Sequence, residues 1–332
     1  MLRKTTLLVW LAVGALACAP PSPTTPPTPP DDNGHHVVLL TLDGVRWQDV
    51  FDTPDAMRRK TGQAYPLPFF RKTFTSSGAW LKGNLDVGDD VRTSSGVPLS
   101  LPGYQVLFGG QRTACTSNDC PRPSSPTLLD AVAERLGATH VAAFASWKQT
   151  RLAVTSSSSP AFTVDIPTPA SIRRDKRRPR WRDARFDDVT YQHALDRVRH
   201  QPPRLLLLSL LDTDEWAHNN KPRAYVDALQ TFDVQLQRLV RLLDDKGVLQ
   251  RTTFLVTTDH GRDDGEGWTG HGRRPEGRHI WMAAKGPGVT PPSSTPLQQA
   301  DLRPTVEALL GMTPTPCTDD GCGRVMTSVV QR

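Results

Sequence analysis

The chain predicts an α/β fold built on a central, mostly parallel sheet covered by helices on both faces. Three observations carry that expectation. Continuous apolar runs of strand length recur at His36 to Leu42, Arg204 to Leu211 and Thr253 to Val256, the pattern of strands buried on both sides. Each run ends in acids or histidines: Asp43, the cluster Asp212 to His218, and Asp259-His260. Stretches of helical period separate the runs, which favours one α/β domain over two small ones. Open α/β sheets gather ligands at the carboxyl ends of their strands, so these polar ends are the place to look for chemistry.

The 332 residues carry a formal charge of +6 and a pI of about 9.2. That balance suits an anionic substrate or an anionic surface. Direct nucleic-acid binding is not expected, because no helix-turn-helix, finger or RNP motif and no basic groove interleaved with aromatics is present.

The N-terminus has a basic start at Arg3 and Lys4, an apolar run from Leu7 to Leu16, and then Ala17-Cys18. This is the pattern of a signal peptide over 1–17, too short for a comfortable permanent span. Ala15-Leu16-Ala17-Cys18 resembles a bacterial lipobox, which implies acylation of Cys18; ordinary cleavage near Ala17 is the alternative. The Pro/Thr-rich stretch completing 18–34 reads as an extended tether, and 35–332 as the catalytic domain. The expectation is an exported protein of the bacterial cell envelope, periplasmic or an outer-membrane lipoprotein, held to the membrane through an N-terminal lipid anchor. Cys115 with Cys120 and Cys317 with Cys322 are expected to close two small disulfide loops, as an oxidising compartment allows. Zinc binding by these pairs is the rival, weakened by the lack of CxxC spacing.

In chain order, His36 to Leu42 is the first strand. Asp43 at its end is either a turn residue before Gly44 or a metal ligand, since a carboxylate beside a buried strand end is costly without a cation. Ser100 precedes a short helix ending at Gly109-Gly110, where backbone amides and the helix dipole favour an anion. It is a candidate nucleophile, or a plain N-cap. Thr127 to Leu136 reads as an amphipathic helix stopped by Gly137, and His140 to Ala145 as a strand with Lys148 just beyond it. The arginine-dense run over 171–185 reads as a surface insertion, solvated or drawn to polyanions. Asp214 and His218 stand four apart, a spacing that lets both face one side of a helical turn and grip one cation. Lys221 to Asp244 has a core-facing helical period. Asp259-His260 follows the Thr253 to Val256 strand, His271 sits between Gly270 and Gly272, His279 to Ala284 is a last strand, and Ala300 to Leu310 a last helix.

Taken together, Asp43-Gly44, the Ser100 segment, Asp214-x-x-Ala-His218, Asp259-His260-Gly261 and His271-Gly272 resemble the alkaline phosphatase superfamily, and within it the nucleotide pyrophosphatase/phosphodiesterase-like branch. The resemblance covers about residues 36 to 311 and implies an alkaline-phosphatase-like sandwich. It implies two divalent metal ions, zinc by the donor types: Asp214, His218 and His271 on one, Asp43, Asp259 and His260 on the other, with Ser100 bridging toward the second. The implied reaction is hydrolysis of a phosphate ester, a diester or a monoester, through a phosphoseryl intermediate. The branch has Thr-x-Pro-Asn-His at the nucleophile, where this chain has Ser100-Leu101-Pro102-Gly103-Tyr104, so a side-chain donor to the phosphate is missing there. Sulfatases carry C/S-x-P-x-R; Ser100 and Pro102 match, but Tyr104 replaces the arginine. A non-catalytic surface-binding lipoprotein on the same scaffold is the third reading, opposed by the presence of all six ligand types.

Overall fold

The computed structural model describes residues 34–330 apart from 54, 169–182, 273, 292–295 and 319–320. The expected signal peptide, Cys18 and tether lie outside the described residues, as does most of the arginine-dense run. Among the described residues nine strands follow one another as β1 His36–Leu42, β2 Ala79–Lys82, β3 Val91–Arg92, β4 Val141–Ala145, β5 Thr163–Asp165, β6 Leu205–Leu210, β7 Thr252–Thr257, β8 His279–Ile280 and β9 Met282–Lys285. Seven of them form one sheet in the order β2-β9-β7-β1-β6-β4-β5, and β3 pairs with β8 in a separate ribbon. Within the large sheet β7, β1, β6, β4 and β5 run parallel, and β9 and β2 add an antiparallel edge.

The strand β1 is buried throughout. Val37 and Leu39 face one apolar layer, Val38 and Leu40 the other. Burial on both sides is why the run reads as continuously apolar instead of alternating. The helices Ser100–Gly109, Leu128–Leu136 and Leu302–Leu309 contribute to the first layer; Pro68–Phe74, Asp187–His200 and Pro222–Asp245 contribute to the second. Thr41 pairs with both Ser209 and Thr257 in register. The three central strands therefore end level, and the polar residues after each emerge at one rim.

Local signals explain several boundaries. Thr127 and Asp130 form a reciprocal capping box at the start of Leu128–Leu136, satisfying two amides that the helix leaves open. Gly110, at φ 69°, closes the Ser100 helix. Both expected disulfides are present, with Cα separations of 5.7 Å and 5.8 Å.

Some expectations need correcting. The single strand over His279 to Ala284 is two, β8 and β9, in different sheets; between them Trp281 is fully buried and donates from Nε1 to the Val45 carbonyl at 3.0 Å. The last helix begins with a 3-10 turn, Gln299–Asp301, and becomes α-helical over Leu302–Leu309. The end of the arginine-dense run is no surface insertion: Arg185 is buried and donates to Asp165 Oδ1 at 2.6 Å and Thr190 Oγ1 at 2.8 Å. Lys148 is exposed beyond β4. Among the described residues no helix is long and apolar enough to cross a membrane.

Candidate metal centre and nucleophile

Each predicted site residue stands where an element ends at the rim. Asp43 follows β1, Ser100 opens the helix Ser100–Gly109, Asp214 and His218 lie on the helix Asp212–His218 after β6, and Asp259 and His260 follow β7. His271 comes from the loop before β8. The donor atoms fall into two groups, Asp214 with His218 and His271, and Asp43 with Asp259 and His260, each within 4.8 Å of one another. Ser100 Oγ lies 3.4 Å from Asp43 Oδ1 and 3.2 Å from His260 Nε2. The groups adjoin: the His260 and His271 rings stack at 3.7 Å between centroids, and His218 Nε2 is 3.1 Å from His271 Nε2. All seven predicted residues thus converge, and none is remote.

The three carboxylates share one design. Asp43 Oδ2 accepts from the Tyr104 hydroxyl at 3.0 Å, leaving Oδ1 toward Ser100 and His260. Asp259 Oδ1 accepts from the Gly44 amide at 3.1 Å, while its Oδ2 is buried without a hydrogen-bond partner. Asp214 Oδ1 accepts from Arg262 Nη2, and its Oδ2 lies 3.1 Å from His218 Nε2. In each case one oxygen is tied and the other is aimed inward. The imidazoles are oriented in the same manner, His260 Nδ1 at 2.8 Å from the Gly261 carbonyl and His271 Nδ1 at 2.7 Å from that of Pro98. A carbonyl only accepts, so both Nδ1 atoms carry the proton and both Nε2 lone pairs face the centre.

Electrostatics follow from this crowding. Burial, then the neighbouring Asp259 and Asp214, push Asp43 well above the usual carboxylate range. Burial and then Asp214 raise Asp259 to about 6. Burial lowers His260 to about 4, and burial together with His260 lowers His271 to about 3. Asp214 moves the other way: burial would raise it, but Arg262 and the His218 bond outweigh burial and hold it well below its usual value. Three acids and three imidazoles around an orphaned inward oxygen are a donor set that divalent cations fit.

Glycine is required at two places here. Gly44 has φ +59°, and a Cβ there would stand 2.6 Å from Asp214 Oδ1. At Gly103 a Cβ would stand 2.5 Å from the Asp259 carbonyl oxygen. The asparagine that the phosphodiesterase-like pattern places at that position has no room in this chain.

Three site residues escaped the sequence reading. Arg262, buried, donates to the carbonyls of Gly44, Trp268 and Asp214 as well as to the Asp214 carboxylate; its place directly after Asp259-His260-Gly261 was the available signal. Tyr104 lies one turn after Ser100, and that spacing could have paired it with the same centre. Asn118 had no local signal. It sits in the Cys115–Cys120 loop, and its Oδ1 accepts from the Leu101 amide at 3.0 Å. The first-turn amides expected to face an anion are partly spent, since Leu101 donates to Asn118, Pro102 has no N–H and Gly103 donates to Leu99. The Asn118 amide nitrogen makes no hydrogen bond among the described residues.

The profile of the type I phosphodiesterase / nucleotide pyrophosphatase family matches residues 109–271, a span holding Asp214, His218, Asp259, His260 and His271. The chain is similar to the alkaline phosphatase superfamily. Among solved structures of that superfamily's fold it is similar to a murine ectonucleotide pyrophosphatase/phosphodiesterase 5 in complex with AMP, with TM-score 0.58 and 14% identity over 86% of this chain and 97% of that one. It is also similar to a phosphonate monoester hydrolase from Silicibacter pomeroyi, with TM-score 0.61 and 13% identity over 89% and 76%. Curated relatives include GPI ethanolamine phosphate transferase 1 of Chaetomium globosum, 28% identical over 114 residues that make up 33% of this chain and 12% of that protein. A phosphopentomutase of Desulfitobacterium hafniense is 28% identical over 117 residues, 34% of this chain and 28% of the relative. These matches span well under a third of the relatives' lengths. The structural likenesses, at such identities, establish the superfamily fold and nothing finer.

Proposed function

We propose that the protein is a metal-dependent phosphoric ester hydrolase with Ser100 as its nucleophile. One observation carries this reading: the Ser100 hydroxyl sits at the start of a helix within 3.2 Å of His260 and 3.4 Å of Asp43, members of one of two adjoining groups of candidate cation donors. Asp214, His218 and His271 would hold one divalent cation, and Asp43, Asp259 and His260 the other. Cations held there would lower the serine pKa and offset charge on the phosphoryl oxygens.

The chain's own residues do the rest. Ser100 Oγ bonds to phosphorus as the ester oxygen departs, and the proton lost by the serine ends on the leaving alcohol. Water then attacks the phosphoseryl group, phosphate departs and Ser100 recovers its proton. Asn118 Nδ2 donates to a non-bridging oxygen, the role left open by Gly103. Tyr104, Gly44 and Arg262 fix the carboxylates so that no reorganisation is needed during the displacement. The cation-bearing site is proposed to act outside the cytoplasm, on a protein exported through its N-terminal signal and anchored by acylated Cys18; the two disulfides agree with an oxidising compartment.

Sulfate ester hydrolysis is disfavoured because Tyr104, where sulfatases carry arginine, is spent on Asp43. The deciding experiment compares p-nitrophenyl phosphate, bis-p-nitrophenyl phosphate and p-nitrophenyl sulfate as substrates, with and without chelator. Phosphate ester cleavage that needs metal and disappears in Ser100→Ala is expected. Sulfate as the preferred substrate, or unchanged turnover in Ser100→Ala, would overturn the reading.

A further inference from the structure

We infer that the two cation sites are unequal by design, and that Arg262 makes the Asp214/His218/His271 site the weak, exchangeable one. This inference rests on the two-cation reading above. It follows from charge alone. In the Asp43/Asp259/His260 group the tied carboxylate oxygens are held by neutral donors, the Tyr104 hydroxyl and the Gly44 amide. Two carboxylates therefore turn an oxygen toward a cation there. In the other group the only carboxylate is Asp214, and its second oxygen is in a salt bridge with a guanidinium. That group presents two imidazoles and one acid already paired with a guanidinium.

Arg262 is fixed in place: it is buried, and its donors are spread over three carbonyls and the Asp214 carboxylate. Exposure runs with charge. Asp43, Asp259 and His260 are all inaccessible to solvent, whereas the His218 side chain is 42% exposed. One site thus sets two carboxylates in a closed pocket, and the other offers a single paired carboxylate and two imidazoles beside a more exposed rim. A unit charge a few ångströms from a divalent ion, at an effective interior dielectric of about 20, changes affinity by roughly two decades or more. Occupancy of the second site, and with it turnover, then follows the free cation concentration outside the protein.

The test is a zinc titration of chelator-stripped full-length protein against a chromophoric competitor. Wild type is expected to bind two zinc ions in steps separated by at least about a hundredfold. His271→Ala should lose only the weak step and His260→Ala the tight one. Arg262→Met should narrow the gap to less than about tenfold by tightening the weak step, while Arg262→Lys, which keeps the charge, should leave it wide. Two zinc ions bound within tenfold of each other in wild type would overturn the inference and leave the hydrolase reading standing. Loss of the tight step in His271→Ala would overturn it as well. Binding of no zinc at all would overturn both. Should Arg262→Met fail to fold, wild type and the two histidine variants decide the matter alone.

Discussion

Gly103→Ala is the sharpest single perturbation of this site, because the substitution adds one carbon and changes no charge. The new Cβ would stand 2.5 Å from the Asp259 carbonyl oxygen and 3.2 Å from the Asp259 Cβ. Ordinary contact begins near 3.5 Å, so something must retreat by about 1 Å. Neither side gives easily: one is the first turn of the helix that carries Ser100, the other is backbone at the end of a central strand, with its carbonyl held by Gln299 at 2.6 Å. Overpacking of this kind costs about 1–3 kcal/mol of stability. Its larger effect is on geometry, since a 1 Å displacement of the nucleophile from the phosphorus can cost about a hundredfold in rate. The assay is kcat on p-nitrophenyl phosphate, read beside the thermal midpoint and metal content. A fall of about a hundredfold in kcat with both cations retained is expected; wild-type kcat in Gly103→Ala would refute the claim that this contact sets the position of Ser100.

Asn118→Ala should lower kcat by about a hundredfold or more, as removal of one preorganised donor does, with metal content unchanged by elemental analysis; full activity would remove Asn118 from the site. Cys115→Ser with Cys120→Ser should lose about 2 kcal/mol of stability from the small loop and mimic part of the Asn118→Ala defect in kcat, whereas the equivalent change at Cys317 and Cys322 should leave kcat alone; equal behaviour of the two pairs would contradict this. Zinc affinity of the Asp43/Asp259/His260 site should fall about fivefold or more from pH 6 to pH 5 in competition titrations. The sign follows from Asp259, raised to about 6 in the metal-free fold, which must shed its proton to bind, while His260, lowered to about 4, is already neutral. Affinity independent of pH over that range would rule this out.

The sequence showed the rim and not what braces it. Asp43, Asp214 and Asp259 were legible because a buried strand that ends in an acid leaves few options, and β1, β6 and β7 are buried over their whole lengths. His218 was legible through helical spacing, and His271 only once the others had set a pattern. Asn118, by contrast, acts from a loop 18 positions beyond Ser100 and touches the site through a single backbone amide, which no local periodicity encodes. The helices Trp47–Phe51 and Asp187–His200 went unseen because their helix-forming signal is weak locally and tertiary packing stabilises them. The split of β8 from β9 depends on where the Trp281 side chain lands, a fact of packing. The resemblance to Thr-x-Pro-Asn-His flagged a missing donor correctly, but only the contact at Gly103 explains its absence.

The central claim is that two divalent cations flank the Ser100 hydroxyl in separate cages at one edge of the sheet. Anomalous diffraction at the zinc absorption edge, from crystals of the protein grown with zinc, addresses it most directly. Two peaks are predicted, one among Asp43, Asp259 and His260 and one among Asp214, His218 and His271. No peak within these groups, or peaks at other surface residues only, would contradict it.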